Sequence, residues 1–88
     1  MRVILYSKPG CHLCEGLQEK LGQIQTLAIE LEIRDIASNS EWFNAYQYEI
    51  PVLFVELPNG AIAPVPRPSP RATVPQIEQA LRKVATGL

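Results

Sequence analysis

Residues 7–14 read Ser7-Lys8-Pro9-Gly10-Cys11-His12-Leu13-Cys14, and they set the rest of the chain in order. Before them, Arg2 to Ser7 is a short, largely apolar run of β-branched and aromatic residues (Val3, Ile4, Tyr6), the pattern of a buried strand. Lys8-Pro9-Gly10 breaks that strand as a turn. From Cys11 the period changes. Leu13, Cys14, Leu17, Leu21 and Ile24 recur at helical spacing, while Glu15, Gln18, Glu19 and Gln23 fall away from that face. Gly16 and Gly22 weaken the helix, and Gly22 marks its approximate end. The two cysteines therefore stand at the start of a helix that directly follows a strand and a turn.

That position has chemical content. At a helix start, residues i and i+3 are close enough for a disulfide. Unpaired backbone N–H groups and the helix dipole favour a thiolate on the first cysteine. Lys8 adds a nearby positive charge, and His12, if protonated, would act on the Cys11 thiolate in the same direction. Cys14 falls on the apolar face. Cys11 is thus the expected nucleophile and Cys14 the resolving thiol. Two other readings stay open at this point. Cys11, His12 and Cys14 offer three soft ligands to a metal or an iron–sulfur centre, or the pair is vestigial in an interaction domain.

Downstream, Leu27 to Ile36 alternates, with Ile29, Leu31 and Ile33 on one face and Glu30, Glu32 and Arg34 on a wet one. Ser38-Asn39-Ser40-Glu41 has the form of a capping box and leads into a short helix bearing Trp42, Phe43, Ala45 and Tyr46. The spacing of Trp42, Phe43, Tyr46 and Tyr48 suits packing on a sheet. Pro51 opens the buried run Val52–Val55, Pro58-Asn59-Gly60 is a hairpin turn, and Pro64 puts the returning strand at an edge. Pro64, Pro66, Pro68 and Pro70 make an extended loop. Thr73 to Gln76 caps a final helix whose apolar stripe is Ile77, Ala80, Leu81 and Val84, closed by Gly87. The order β-α-β-α-β-β-α predicts an α/β fold: one mixed four-stranded sheet with helices on both faces, in a single domain over residues 1–88.

Composition narrows the function classes. A chain of 88 residues with 47% apolar and 19% charged residues is an ordinary globular domain. Its net charge of −1 gives no reason to expect nucleic acid or an anionic membrane as partner. No apolar run approaches the ~20 residues needed to span a bilayer, and Val3–Tyr6 is too short for a signal peptide. Two cysteines do not make the disulfide framework of a small secreted protein. A reducing, cytoplasmic setting is expected, as is a monomer.

The element order, the segment Ser7–Cys14 and Ile50-Pro51 ahead of the third strand together resemble the glutaredoxins, and more narrowly the small glutaredoxin-like family. The resemblance covers nearly the whole chain. It implies a thioredoxin-like fold and a thiol–disulfide oxidoreductase that reduces protein or glutathione-mixed disulfides through Cys11 and Cys14. It implies no bound cofactor and no metal, with glutathione as a candidate co-substrate. It also implies that the Ile50–Pro51 bond is cis and faces Cys11, leaving the Ile50 backbone to pair with an extended thiol peptide. There are departures. His12-Leu13 stands where dithiol glutaredoxins usually carry Pro-Tyr, and Glu49-Ile50 where they carry Thr-Val. The Gly-Gly turn and following Asp that hold glutathione have no match. Residues 66–73 occupy that region: Arg71 and Thr73, ahead of the last helix, are a candidate carboxylate site, and the alternative is that Arg67 and Arg71 keep the Pro-rich loop solvated.

Overall fold

The order of the first two strands is dictated by the helix between them, since a crossover helix joins strands that run parallel. In the computed structural model, which describes residues 1–87, β1 (Arg2–Ser7) and β2 (Glu30–Asp35) are parallel neighbours on either side of α1 (His12–Gly22) in the chain. Leu88, the last residue of the domain expected over 1–88, lies outside the described residues. A 3-10 turn (Ile36–Ser38) and α2 (Ser40–Tyr46) lead to β3 (Val52–Glu56), which pairs antiparallel with β1. The hairpin partner β4 (Ile62–Val65) forms the edge, and α3 (Val74–Thr86) ends the fold. The sheet order is β2-β1-β3-β4. This is the expected mixed four-stranded sheet, and it has the thioredoxin-like arrangement.

Strand alternation sends the side chains of β1 and β3 to opposite faces. Val3, Leu5, Leu53 and Val55 meet Leu17 and Leu21 of α1 and Ile77 and Leu81 of α3 in an aliphatic core. Ile4 and Tyr6 point the other way, onto Ile36, Trp42, Tyr46 and Phe54. Helices thus cover both faces. The hairpin closes where Gly60 takes a φ of 85°, a conformation that costs a residue without Cβ little. Asn59 Oδ1 accepts from the Ala61 N–H at 3.0 Å in the same turn.

Four local expectations are corrected. Leu13 leaves the core face of α1 and is 48% exposed, because the core stripe begins at Cys14 and continues through Leu17, Leu21 and Ile24. Asn39, not Ser38, caps α2: its Oδ1 accepts from the N–H groups of Glu41 and Trp42 at 2.9 and 3.2 Å. Ser38 instead donates to the Asp35 carbonyl at 2.6 Å inside the 3-10 turn. On β2 the wet face is half-covered. Arg34 lies 5.3 Å from the Trp42 ring centre and 5.5 Å from that of Tyr6, and donates to the Tyr6 hydroxyl at 2.8 Å. Ile33, on the face meant for the core, is exposed: β2 is an edge strand, and an open hollow separates Ile33 from Cys14, Glu15 and Gln18 of α1. Finally, Trp42 and Tyr46 pack on the sheet, but Phe43 does not; Tyr48, for which an exposed place lining the groove is the alternative to packing, is 90% exposed beyond the last turn of α2 and lines a hollow with Pro51.

Candidate functional site

The site is assembled by the turn between β1 and α1. Gly10, at φ 83°, lets the chain reverse, and the Cys11 N–H closes the turn on the Lys8 carbonyl at 3.2 Å. Cys11 is extended (φ −85°, ψ 100°) and serves as the N-cap of α1. Its carbonyl accepts the first helical bond from the Glu15 N–H at 3.0 Å, and its sulfur accepts from the Cys14 N–H at 3.2 Å. A sulfur is thereby placed where serine or aspartate would ordinarily cap a helix. The two cysteines are joined as a disulfide with Cα atoms 5.3 Å apart. Cys11 is half-buried, whereas Cys14 is 2% exposed.

The other residues singled out from sequence divide into two groups. Ile50–Pro51 is a cis bond, and buried Pro51 lines a hollow together with His12 and Leu13, the residues that follow Cys11. The chain thus brings Pro51 to the tip of α1. The Ile50 N–H, however, donates to the Tyr46 carbonyl at 3.1 Å, so it is not available to pair with an extended peptide. Lys8 is exposed, and it contributes its carbonyl to the turn. The His12 side chain is 94% exposed and stands 3.6 Å from Glu15, turned along the helix surface. Thr73 is consumed by its own helix: its hydroxyl accepts from the Gln76 N–H at 3.3 Å, and Gln76 Oε1 accepts from the Thr73 N–H at 2.9 Å. Arg71 is exposed, and neither it nor Thr73 lines the hollow beside Pro51. Among the described residues, no three His, Cys, Asp or Glu side chains are grouped as metal ligands.

That hollow, of about 220 Å³, lies between α1 and residues 67–70. On the helix side it is lined by Leu13, Gly16, Leu17 and Lys20, and on the loop side by Arg67, Pro68, Ser69 and Pro70. Lys20 ties the two walls together, since its ammonium donates to the carbonyls of Pro70 and Ala72 at 3.0 and 2.7 Å. The sequence singles out Arg67 only as a solvating residue of the loop, and it does not single out Lys20. A signal for Lys20 was there: Leu13, Gly16, Leu17 and Lys20 follow the i, i+3, i+4, i+7 spacing of a second helix stripe, ending in a lysine.

A β-α-β-α-β-β-α fold with a cysteine pair capping its first helix and a cis-proline beside it defines a thioredoxin-like dithiol protein. The chain belongs to the family described as Glutaredoxin-like domain (DUF836), whose model matches residues 2–82. It is similar to the X-ray structure of a structural-genomics target protein, XcR50, from X. campestris. The identity is 26% and the TM-score 0.63, covering 91% of this chain and 95% of that one. No curated protein matches the chain. Among the described residues, no helix is long and apolar enough to cross a membrane.

Proposed function

We propose that this protein is a cytoplasmic thiol–disulfide oxidoreductase that reduces disulfides of proteins, or of glutathione-mixed adducts, by cycling Cys11 and Cys14 between dithiol and disulfide. The observation that carries this reading is the asymmetry of the pair: a half-buried sulfur at a helix N-cap, and a second sulfur three residues on that is 2% exposed. In the reduced protein the Cys11 thiolate attacks one sulfur of the substrate disulfide. The substrate S–S bond breaks, one half leaves as a thiolate that takes up a proton, and Cys11 holds the other half as a mixed disulfide. Cys14 then gives up its proton and attacks the Cys11 sulfur, forming the intramolecular disulfide and releasing the second thiol. Two electrons have passed to the substrate, and an external thiol donor restores the pair. The helix N-terminus favours the Cys11 thiolate that attacks the substrate in the first step.

The test uses the reduced protein. Iodoacetamide should alkylate Cys11 well ahead of Cys14, and Cys14→Ser should accumulate a mixed disulfide at Cys11 by mass, while Cys11→Ser should not turn over. Equal alkylation of both cysteines, or a trapped adduct on Cys14, overturns the assignment. Glutathione is one substrate of this scheme. Its carboxylates would meet Arg71 at the surface rather than Thr73, whose hydroxyl is already engaged.

A further inference from the structure

The hollow that begins at His12 and Leu13, the residues following Cys11, has a charge pattern that names its occupant. Its walls are largely apolar: Leu13, Leu17, Pro51 and Pro68 among them. Its ionisable lining residues are His12, Lys20 and Arg67, with no carboxylate among them. The Lys20 ammonium is already committed to two backbone carbonyls. Arg67 is exposed and, among the described residues, forms no ion pair; its one hydrogen bond is a long contact of 3.5 Å to the Glu49 carbonyl. A guanidinium therefore stands at the rim of an apolar hollow with donors to spare.

The size of the space bears on the class of ligand. The first hollow, of about 220 Å³, suits one or two side chains. A second hollow, of about 360 Å³ and including Tyr48, Glu49 and Pro64, shares Pro51 and Arg67 with the first; Glu49 disfavours a carboxylate there, so the acidic residue belongs to the first hollow. The two hollows adjoin at Pro51 and Arg67. An extended chain fits such a pair.

Resting on the redox reading above, we infer that the substrate is a protein whose disulfide lies in an extended, acidic segment, and that Arg67 selects it by pairing with a carboxylate close to the reacting cysteine. The hollows at Pro51 take the segment while the substrate sulfur meets Cys11. Exchange then runs as usual: the Cys11 thiolate forms a bond to that sulfur, the substrate S–S bond breaks, and the departing thiolate takes a proton. The reduced Cys11–Cys14 pair supplies both electrons.

Two synthetic peptides test this. Each carries one cysteine disulfide-linked to 2-mercaptoethanol, with either glutamate or lysine two positions before and after it. Single-turnover release of peptide thiol by protein pre-reduced with dithiothreitol gives an acidic-to-basic rate ratio for each protein form. An exposed pair of this kind is worth up to about fivefold, so the wild-type ratio should favour the acidic peptide by about two- to fivefold. Arg67→Glu should invert it. A ratio near one in the wild type overturns the inference, as does a ratio that Arg67→Glu leaves alone while Lys8→Gln abolishes it. Wild-type reaction with the neutral probe 4,4′-dithiodipyridine separates the two levels. If that reaction is absent, the redox reading falls and takes the inference with it. If it is normal and the peptides are not discriminated, only the inference falls.

Discussion

The two faces of the sheet are built on different principles. One is aliphatic and closed: Val3, Leu5, Leu53, Val55, Ile77 and Leu81 are at most 1% exposed, under α1 and α3. The other is aromatic and leaky. Tyr6 packs against Trp42, Tyr46 and Phe54 with ring centres 5.6, 4.5 and 5.7 Å away, yet α2 buries none of its own residues fully. Burial still pushes the Tyr46 hydroxyl's pKa up, with Tyr6 and Glu49 adding to the effect. Arg34 finishes this face with a hydrogen bond and two cation–aromatic contacts rather than with more hydrocarbon. The cysteine-bearing helix is on the closed face. The closer packing thus lies on the side that carries Cys11 and Cys14, and the looser packing on the far side.

Breaking each face in turn gives the largest contrast. Leu81→Ala removes a fully buried side chain from the aliphatic core and should cost about 2–5 kcal/mol. Trp42→Ala, from the half-exposed face, should cost roughly 1–2.5 kcal/mol, since only part of its area is withdrawn from water. Urea midpoints of the two variants decide the matter, and equal losses would erase the distinction between the faces.

A smaller effect separates the two cations that bridge elements. Lys20→Met deletes the donor to Pro70 and Ala72, and should lower stability by on the order of 1 kcal/mol. It should also speed hydrogen exchange at the Ala72 amide, which is otherwise held by the Ser69 carbonyl at 2.8 Å. Arg34→Met, on the opposite face, should leave that amide alone. If both variants speed its exchange equally, Lys20 is not the tether.

How much of this was legible beforehand depends on the range of the interactions involved. The Thr73–Gln76 box could be read because its partners are three residues apart and compete with nothing. The cap of α2 could not, because Ser38 and Asn39 are both good caps and the choice turns on Asp35, which draws Ser38 into a preceding turn. On α1 two stripes share Leu17, so Leu13 could be assigned to either. Cys11 and Cys14 were legible as a pair, and Pro51 as their neighbour through family likeness. Which arginine of residues 66–73 faces the hollow was not. The path of that loop is held by Lys20, 50 and 52 residues away from the groups it binds.

The smallest predicted effect lies at the outer edge of β2. The Glu32 carboxyl is held below its usual value, first by a hydrogen bond from Arg34 and then by one from Arg2. Because the folded value is depressed, the contribution is present above the ordinary value of 4.5 and disappears as pH falls through the folded one. Glu32→Gln should therefore lower the urea midpoint slightly at neutral pH. The difference from wild type should vanish in acid, and salt should shrink it because the group is solvent-facing. A difference that persists unchanged in strong acid would point to packing rather than charge.

Proline at position 64 has a consequence for crowded solutions. It sits in β4, paired with Phe54, on the strand that forms one border of the sheet. Having no N–H, it leaves a gap in the row of donors that another strand would need in order to add on. Pro66, Pro68 and Pro70 follow at alternate positions and extend the same deficit along the loop. The opposite border carries Glu30, Glu32 and Arg34, whose charges resist stacking against a like edge. Both borders are thus poor templates for runaway strand pairing. A protein of this kind can be concentrated, or held partly unfolded during synthesis, with reduced risk of growing into β-rich aggregates.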